Sequence, residues 1–230
     1  DLSIIGKLED LAGGERIYSA RFLGKRAYLV TFKQVDPLFV IDLSSPSEPK
    51  VLGYLKLPGV SDYLHPYDEN YVIGVGRDAS DEGQIKGLKL SLFDATNPSE
   101  PKEISNYFIG GRGTYSEAIN DHKAFLFSKS KNLLVIPVTV YEEWNYKYDG
   151  AYVFYLDKEK GFELRGTITH QSEKYYKEQG YMDWLATIRR SLYIENNIYT
   201  VSQRMIKAND LKSENLTEIR TINLPVREEI

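Results

Sequence analysis

Residues 42–50 read DLSSPSEPK, and residues 94–102 read DATNPSEPK. An Asp at the head of such a phrase hydrogen-bonds backbone two residues on. Its prolines, at positions 46, 49, 98 and 101, fix φ and cannot continue a strand. Each phrase is therefore a rigid turn, and what surrounds it repeats too. Before the first come RAYLVTF (26–32) and PLFVIDL (37–43), and after it KVLGYLKL (50–57). Before the second come NYVIGVG (70–76) and LKLSLFD (88–94), and after it KEISNYFI (102–109). Looser copies follow: NLLVIPVTV, AYVFYLD and FELRGTI, then NIYTVSQ, MIKANDL and LTEIRTINL.

One more apolar stretch precedes each trio: YSARFL (18–23), SDYLH (61–65), HKAFLF (122–127) and RRSLYI (189–194). Four strands rich in Val, Ile, Tyr and Phe, recurring every ~50 residues, are the signature of β-propeller blades. A sandwich or an up-and-down barrel would not place one turn in one slot of a four-beat repeat. The expected fold is all-β, with blades over 16–59, 60–111, 112–169 and 170–230. Residues 1–15 hold an orphan outer strand of a preceding blade, since SIIGKLED parallels VLGYLKL. Helical periodicity is confined to 171–188, where a short helix is expected.

Composition bounds the function. With 42% hydrophobic and 27% charged residues, the chain can build a full core. No apolar run approaches eighteen residues, so no membrane-spanning helix is expected. A net charge of −4 without Lys/Arg blocks speaks against nucleic acid as a partner. The absence of cysteine removes disulfide and thiol chemistry. The opening DLSIIGKLED has no initiator Met, basic n-region or apolar h-region, which marks it as trimmed, processed or a fragment.

The stretches AYLVTFKQVDPLFVIDLSSPSEPKVLGYLKLPG, SDYLHPYDENYVIGVG, GLKLSLFDATNPSEPK, GGRGTYSEAINDHKAFLF and IKANDL run through most of the chain. In them it resembles secreted or surface-exposed prokaryotic proteins with a C-terminal β-propeller distantly related to WD-40 repeats. The resemblance implies an archaeal or bacterial protein, an extracellular or cell-surface location, and a ring larger than four blades. It carries no catalytic or binding residues to transfer. A partial ring would expose apolar blade faces, so a homodimer completing a larger ring is one expectation, and closure as four blades is another.

In a propeller, the links from outer strand to next inner strand and from second to third strand share one face. Here that face carries RDASDEGQIKG (77–87), GGRGTYSEAIND (110–121), YEEWNYKYDG (141–150) and the segment 170–187. Binding concentrates on long loops held by a rigid scaffold. Tyr141, Trp144, Tyr146, Tyr148, Tyr175, Tyr176, Tyr181 and Trp184 lie there, a set that either packs the loops or recognises a protein or glycan. Nearest the ring axis fall Asp62, Arg112, Glu117, Arg189 and Arg190, with Arg21 on an inner strand. These form either a charged channel pocket or inter-blade ion pairs.

No cofactor is expected. Asp78, Asp81 and Glu82 lack the alternation that wraps a calcium ion, and read as solvated loop charge. His65, His122 and His170 fall at different strand ends, which does not assemble a metal site; Asp121 and His122 are expected to make a strand-entry hydrogen bond. GGRG (110–113) has no helix after it to cradle a phosphate. Nothing nominates a nucleophile with its base. The leading expectation is a non-enzymatic binding propeller. The alternatives are a polysaccharide- or peptide-processing enzyme using carboxylates such as Glu117 and Asp62, or a purely structural module of an envelope protein.

Overall fold

The computed structural model describes residues 2–32, 36–80 and 82–225. Among them sixteen strands form four antiparallel four-stranded sheets, each with its strands in chain order. These are propeller blades, and they divide between two compact units, Asp1–Arg112 and Gly113–Ile230.

The first unit holds β1 (Arg16–Leu23), β2 (Arg26–Phe32), β3 (Asp36–Asp42) and β4 (Lys50–Leu57) as one blade. Its second blade is β5 (Val60–Pro66), β6 (Tyr71–Ala79), β7 (Ile85–Asp94) and β8 (Lys102–Ile109). The middle strands are buried on both faces, which is why they read as unbroken apolar runs. Leu88, Leu90 and Leu92 on β7 are wholly buried, and even Lys89 and Ser91 between them are enclosed. Tyr28, Val30, Leu38 and Val40 of one blade pack on Val60, Leu64, Val72 and Phe93 of the next. The outer strand contributes Leu52, Leu55 and Leu57 to the same core.

The second unit repeats the plan. One blade is β9 (Leu126–Ser128), β10 (Leu133–Glu142), β11 (Asn145–Asp157) and β12 (Gly161–Ile168). The other is β13 (Arg190–Ile194), β14 (Asn197–Val201), β15 (Met205–Asp210) and β16 (Glu218–Asn223). Val135, Val153 and Ile168 meet Ile198, Leu211 and Leu216 across the blade junction.

Two local devices recur in every blade. An Asp ends the third strand, and its Oδ1 accepts the backbone N–H two residues on, at 2.8 Å each time: Asp42 from Ser44, Asp94 from Thr96, Asp157 from Glu159 and Asp210 from Lys212. One residue is then bulged out of each outer strand, between Gly53 and Val51, Ser105 and Glu103, Gly166 and Leu164, and Arg220 and Glu218. At the blade junction inside each unit, the residue after the bulge faces the next blade's turn. A Cβ on Gly53 would lie 2.4 Å from the Pro98 oxygen, and Gly166 is covered by the Leu216 side chain. The quoted phrase is thus a blade-locking turn seated on a glycine.

The structure redraws several boundaries. Of HKAFLF only Leu126 and Phe127 are strand, and His122–Ala124 is a 3-10 turn, because Asp121 caps it by accepting the Lys123 N–H at 2.9 Å. YEEWNYKYDG is no loop: β10 and β11 run through it, joined by the two residues Glu143 and Trp144. Within 171–188 the helix is α1 (Glu173–Gln179), followed by a 3-10 turn at Trp184–Ala186. Residues 2–10, where an orphan strand was expected, pair with no described strand.

Candidate functional site

The polar residues expected near the axis fall into separate arrangements. In the first unit Asp62 on β5 receives Arg77 from β6 through two bonds, at 2.7 and 3.0 Å. Burial raises the Asp62 carboxyl, and the Arg77 guanidinium opposes that. Beside it Tyr63 and His65 share a 2.9 Å bond, and burial lowers His65 to about 4. Arg112 is exposed at the end of this unit.

In the second unit the pairs cross the blade junction. Arg190 reaches Asp121 at 2.6 Å, and Arg189 reaches Glu117 at 3.5 Å. Glu117 opens a 3-10 turn capped by Ser116, whose hydroxyl donates to the Pro137 carbonyl at 2.6 Å. The Tyr115 hydroxyl donates to Glu117 at 3.4 Å and accepts from Asn120 at 3.1 Å. The bond from the Lys123 N–H and the Arg190 charge hold Asp121 below the usual carboxylate range. Each of these three carboxylates is paired with an arginine, Asp62 with Arg77, Glu117 with Arg189 and Asp121 with Arg190.

The aromatic residues gather around the β10–β11 hairpin. Glu142 pairs with Asn145, so Glu143 and Trp144 form a two-residue turn, with φ of +48° and +69°. Both signs fit a type I′ turn, which matches strand twist but favours Asn-Gly. Holding a bulky residue left-handed costs about 1–2 kcal/mol. The Trp144 ring rests against Gly113, where φ is +100° and an added Cβ would sit 2.9 Å from it. Trp144 nevertheless remains 65% exposed at the tip. Beneath it Tyr141 and Tyr146 meet edge-on at 6.1 Å, and Tyr146 meets Tyr176 of α1 at 5.2 Å.

A buried polar scaffold fixes α1 there. Asp149, 2% exposed, accepts from Thr139 at 2.8 Å and from the Gln171 amide at 3.1 Å, and burial raises its pKa. Gln171 also clamps the Asp183 backbone with two 3.0 Å bonds. Asp183 caps Leu185 at 3.0 Å and takes Arg204 at 2.7 Å. His170 is sealed between Thr200 and Ser202, at 2.9 Å each. An open cleft of about 450 Å³ runs past His170, Ser172, Tyr175, Asp183 and Arg204.

The structure therefore brings Tyr141, Trp144, Tyr146 and Tyr176 together, and separately Glu117 with Arg189. Trp184 is 61% exposed on its own 3-10 turn. Asp149, Gln171, Asp183 and Arg204 were not foreseen: isolated polar residues in a loop-like stretch carry no periodic signal. Of the calcium candidates, Asp81 lies outside the described residues; Glu82 is fully exposed, and its Ser80 hydrogen bond lowers its pKa.

A family model for a beta propeller domain matches residues 1–214. An uncharacterized protein of Methanocaldococcus jannaschii is 39% identical over 202 residues, covering 88% of this chain and 28% of its own length. An uncharacterized protein of Archaeoglobus fulgidus is 44% identical over 136 residues, covering 59% of this chain and 21% of its own. The chain thus spans about a quarter of these relatives. A functionally unknown protein from Desulfotomaculum acetoxidans aligns with a TM-score of 0.47 at 13% identity, covering 96% of this chain and 61% of that one.

Proposed function

The chain belongs to the beta propeller domain family, and we propose that it is an exported recognition module holding a protein or glycan on the aromatic surface of its second unit. The observation that carries this reading is Trp144. It occupies a strained left-handed turn position, leans on a glycine and still presents most of its surface to solvent. Strain retained at an exposed tip is a mark of selection for something other than stability. Tyr176 lies 40% exposed beside the same hairpin, so two rings flank a surface backed by rigid strands. The arginine-matched carboxylates favour recognition over hydrolysis.

The test separates binding from folding. Immobilised envelope glycoprotein and a panel of neutral and acidic oligosaccharides serve as probes, read by interferometry. Trp144→Ala and Tyr176→Ala should each weaken the bound probe by at least about tenfold, as loss of an aromatic anchor does. Replacing the turn by Glu143→Asn with Trp144→Gly should raise stability by about 1 kcal/mol while binding falls equally. Binding to none of the probes, or binding indifferent to these changes, would leave the purely structural reading.

A further inference from the structure

Residues 2–9 carry the mark of an outer strand without a sheet. A Cβ on Gly6 would lie 2.1 Å from the Pro46 oxygen, inside the DLSSPSEPK turn. Gly53 stands in the same relation to the Pro98 oxygen of DATNPSEPK, at 2.4 Å. Two residues after each glycine a leucine repeats the match. Leu55 packs on the core containing Val72 and Phe93 of the second blade. Leu8 packs on Ala27, Phe39 and Ile41 of the first, where Ala27 and Ile41 hold the register places of Val72 and Phe93. The junction between residues 2–9 and the first blade is the same as that between β4 and the second.

One side of that junction is missing its partners. Leu52, just before Gly53, is half-buried because β3 lies alongside it; Ile5, just before Gly6, is 68% exposed. Ile4 is 76% exposed and Leu2 fully so. Three exposed apolar residues among positions 2–5, beside backbone that pairs with no described strand, make an edge that folded proteins cover.

We propose that residues 2–9 are the fourth strand of a further blade, whose three inner strands come from chain upstream of Asp1 and pair along this free edge. The inference stands apart from the binding reading. Connectivity favours that source, since in both units a blade's fourth strand follows its own three inner strands in the chain and precedes the next blade's first strand. A second copy of this chain is a poorer donor, because each of its described sheets already has four strands. The relatives extend well beyond the matched region, which spans 28% and 21% of their lengths.

Amide exchange in the native full-length protein, set against this 230-residue chain, tests the assignment. Amides within 3–9 that face the new ladder should exchange at least about 100-fold more slowly in the full-length protein. Neighbouring residues in a strand point their N–H groups to opposite sides, so either Ile4→Pro or Ile5→Pro must remove a donor from that ladder. One of the two should abolish the protection in the full-length protein, while both leave the melting of the 230-residue chain unchanged. Equal exchange in the two proteins overturns the proposal. Protection in the shorter chain together with a dimeric mass overturns it in favour of a second copy.

Discussion

Gly53→Val is expected to melt the first unit roughly 10 °C below the parent, a loss of about 3–4 kcal/mol for a chain of this size. The new Cβ would stand 2.4 Å from the Pro98 oxygen and 2.6 Å from the Ser99 oxygen, both backbone atoms. Neither oxygen can yield cheaply. The turn that carries them is pinned by Asp94 Oδ1 on the Thr96 N–H at 2.8 Å and by the Glu100 N–H on the Asn97 carbonyl at 3.1 Å. Relief therefore requires β4 to lift away, and with it Leu52, Leu55 and Leu57 from the blade junction. Exposing part of three leucines at about 1.5–3 kcal/mol for full burial of each is enough to account for the loss.

The bulge itself does not demand glycine. Ser105 and Arg220 occupy the same register place in their blades. What demands it at position 53 is the turn laid over it. Gly13→Ala is the matching control, since nothing lies within 4 Å of a Cβ there, and it should shift melting by less than about 0.5 kcal/mol. A native melting curve for Gly53→Val would dispose of the docking account.

The same turn explains how much of the architecture was legible. PSEPK occurs twice because two successive blades lock in one way, and the Asp heading each turn recurs at 157 and 210 even where the prolines do not. Repetition made strand count and blade phase readable from the sequence alone. The site was less legible for two physical reasons. Glu-Glu-Trp-Asn lacks the Asn-Gly chemistry of a tight hairpin, so a two-residue turn reads as a ten-residue loop. And the clamp of Asp149, Gln171, Asp183 and Arg204 joins residues far apart in sequence through one or two hydrogen bonds each, which leave no pattern. The tyrosines and Trp144 were visible as a group, but only the hairpin shows which of them share a surface.

Acid should destabilise the second unit through His170. The ring is 3% exposed and bonded on both nitrogens, so burial lowers it to about 4, with the Lys207 charge adding to that and Glu218 opposing it. Unfolded, the imidazole titrates near its ordinary value of about 6.5. Between those two values the folded state binds fewer protons than the unfolded state. The contribution is therefore complete above about pH 6.5 and is lost progressively as pH falls toward 4. A gap of that width removes roughly 3 kcal/mol at most. His65 titrates over the same window but lies in the first unit. Both tryptophans of the chain, Trp144 and Trp184, lie in the second, so their fluorescence reports that unit alone. His170→Gln keeps a donor and an acceptor for Thr200 and Ser202 without a titrating ring. It should cost about 1–2 kcal/mol at pH 7 and flatten the tryptophan-monitored stability between pH 6.5 and 4.5. A variant whose acid limb runs parallel to the parent's would place the acid sensitivity on another group and remove His170 from the account.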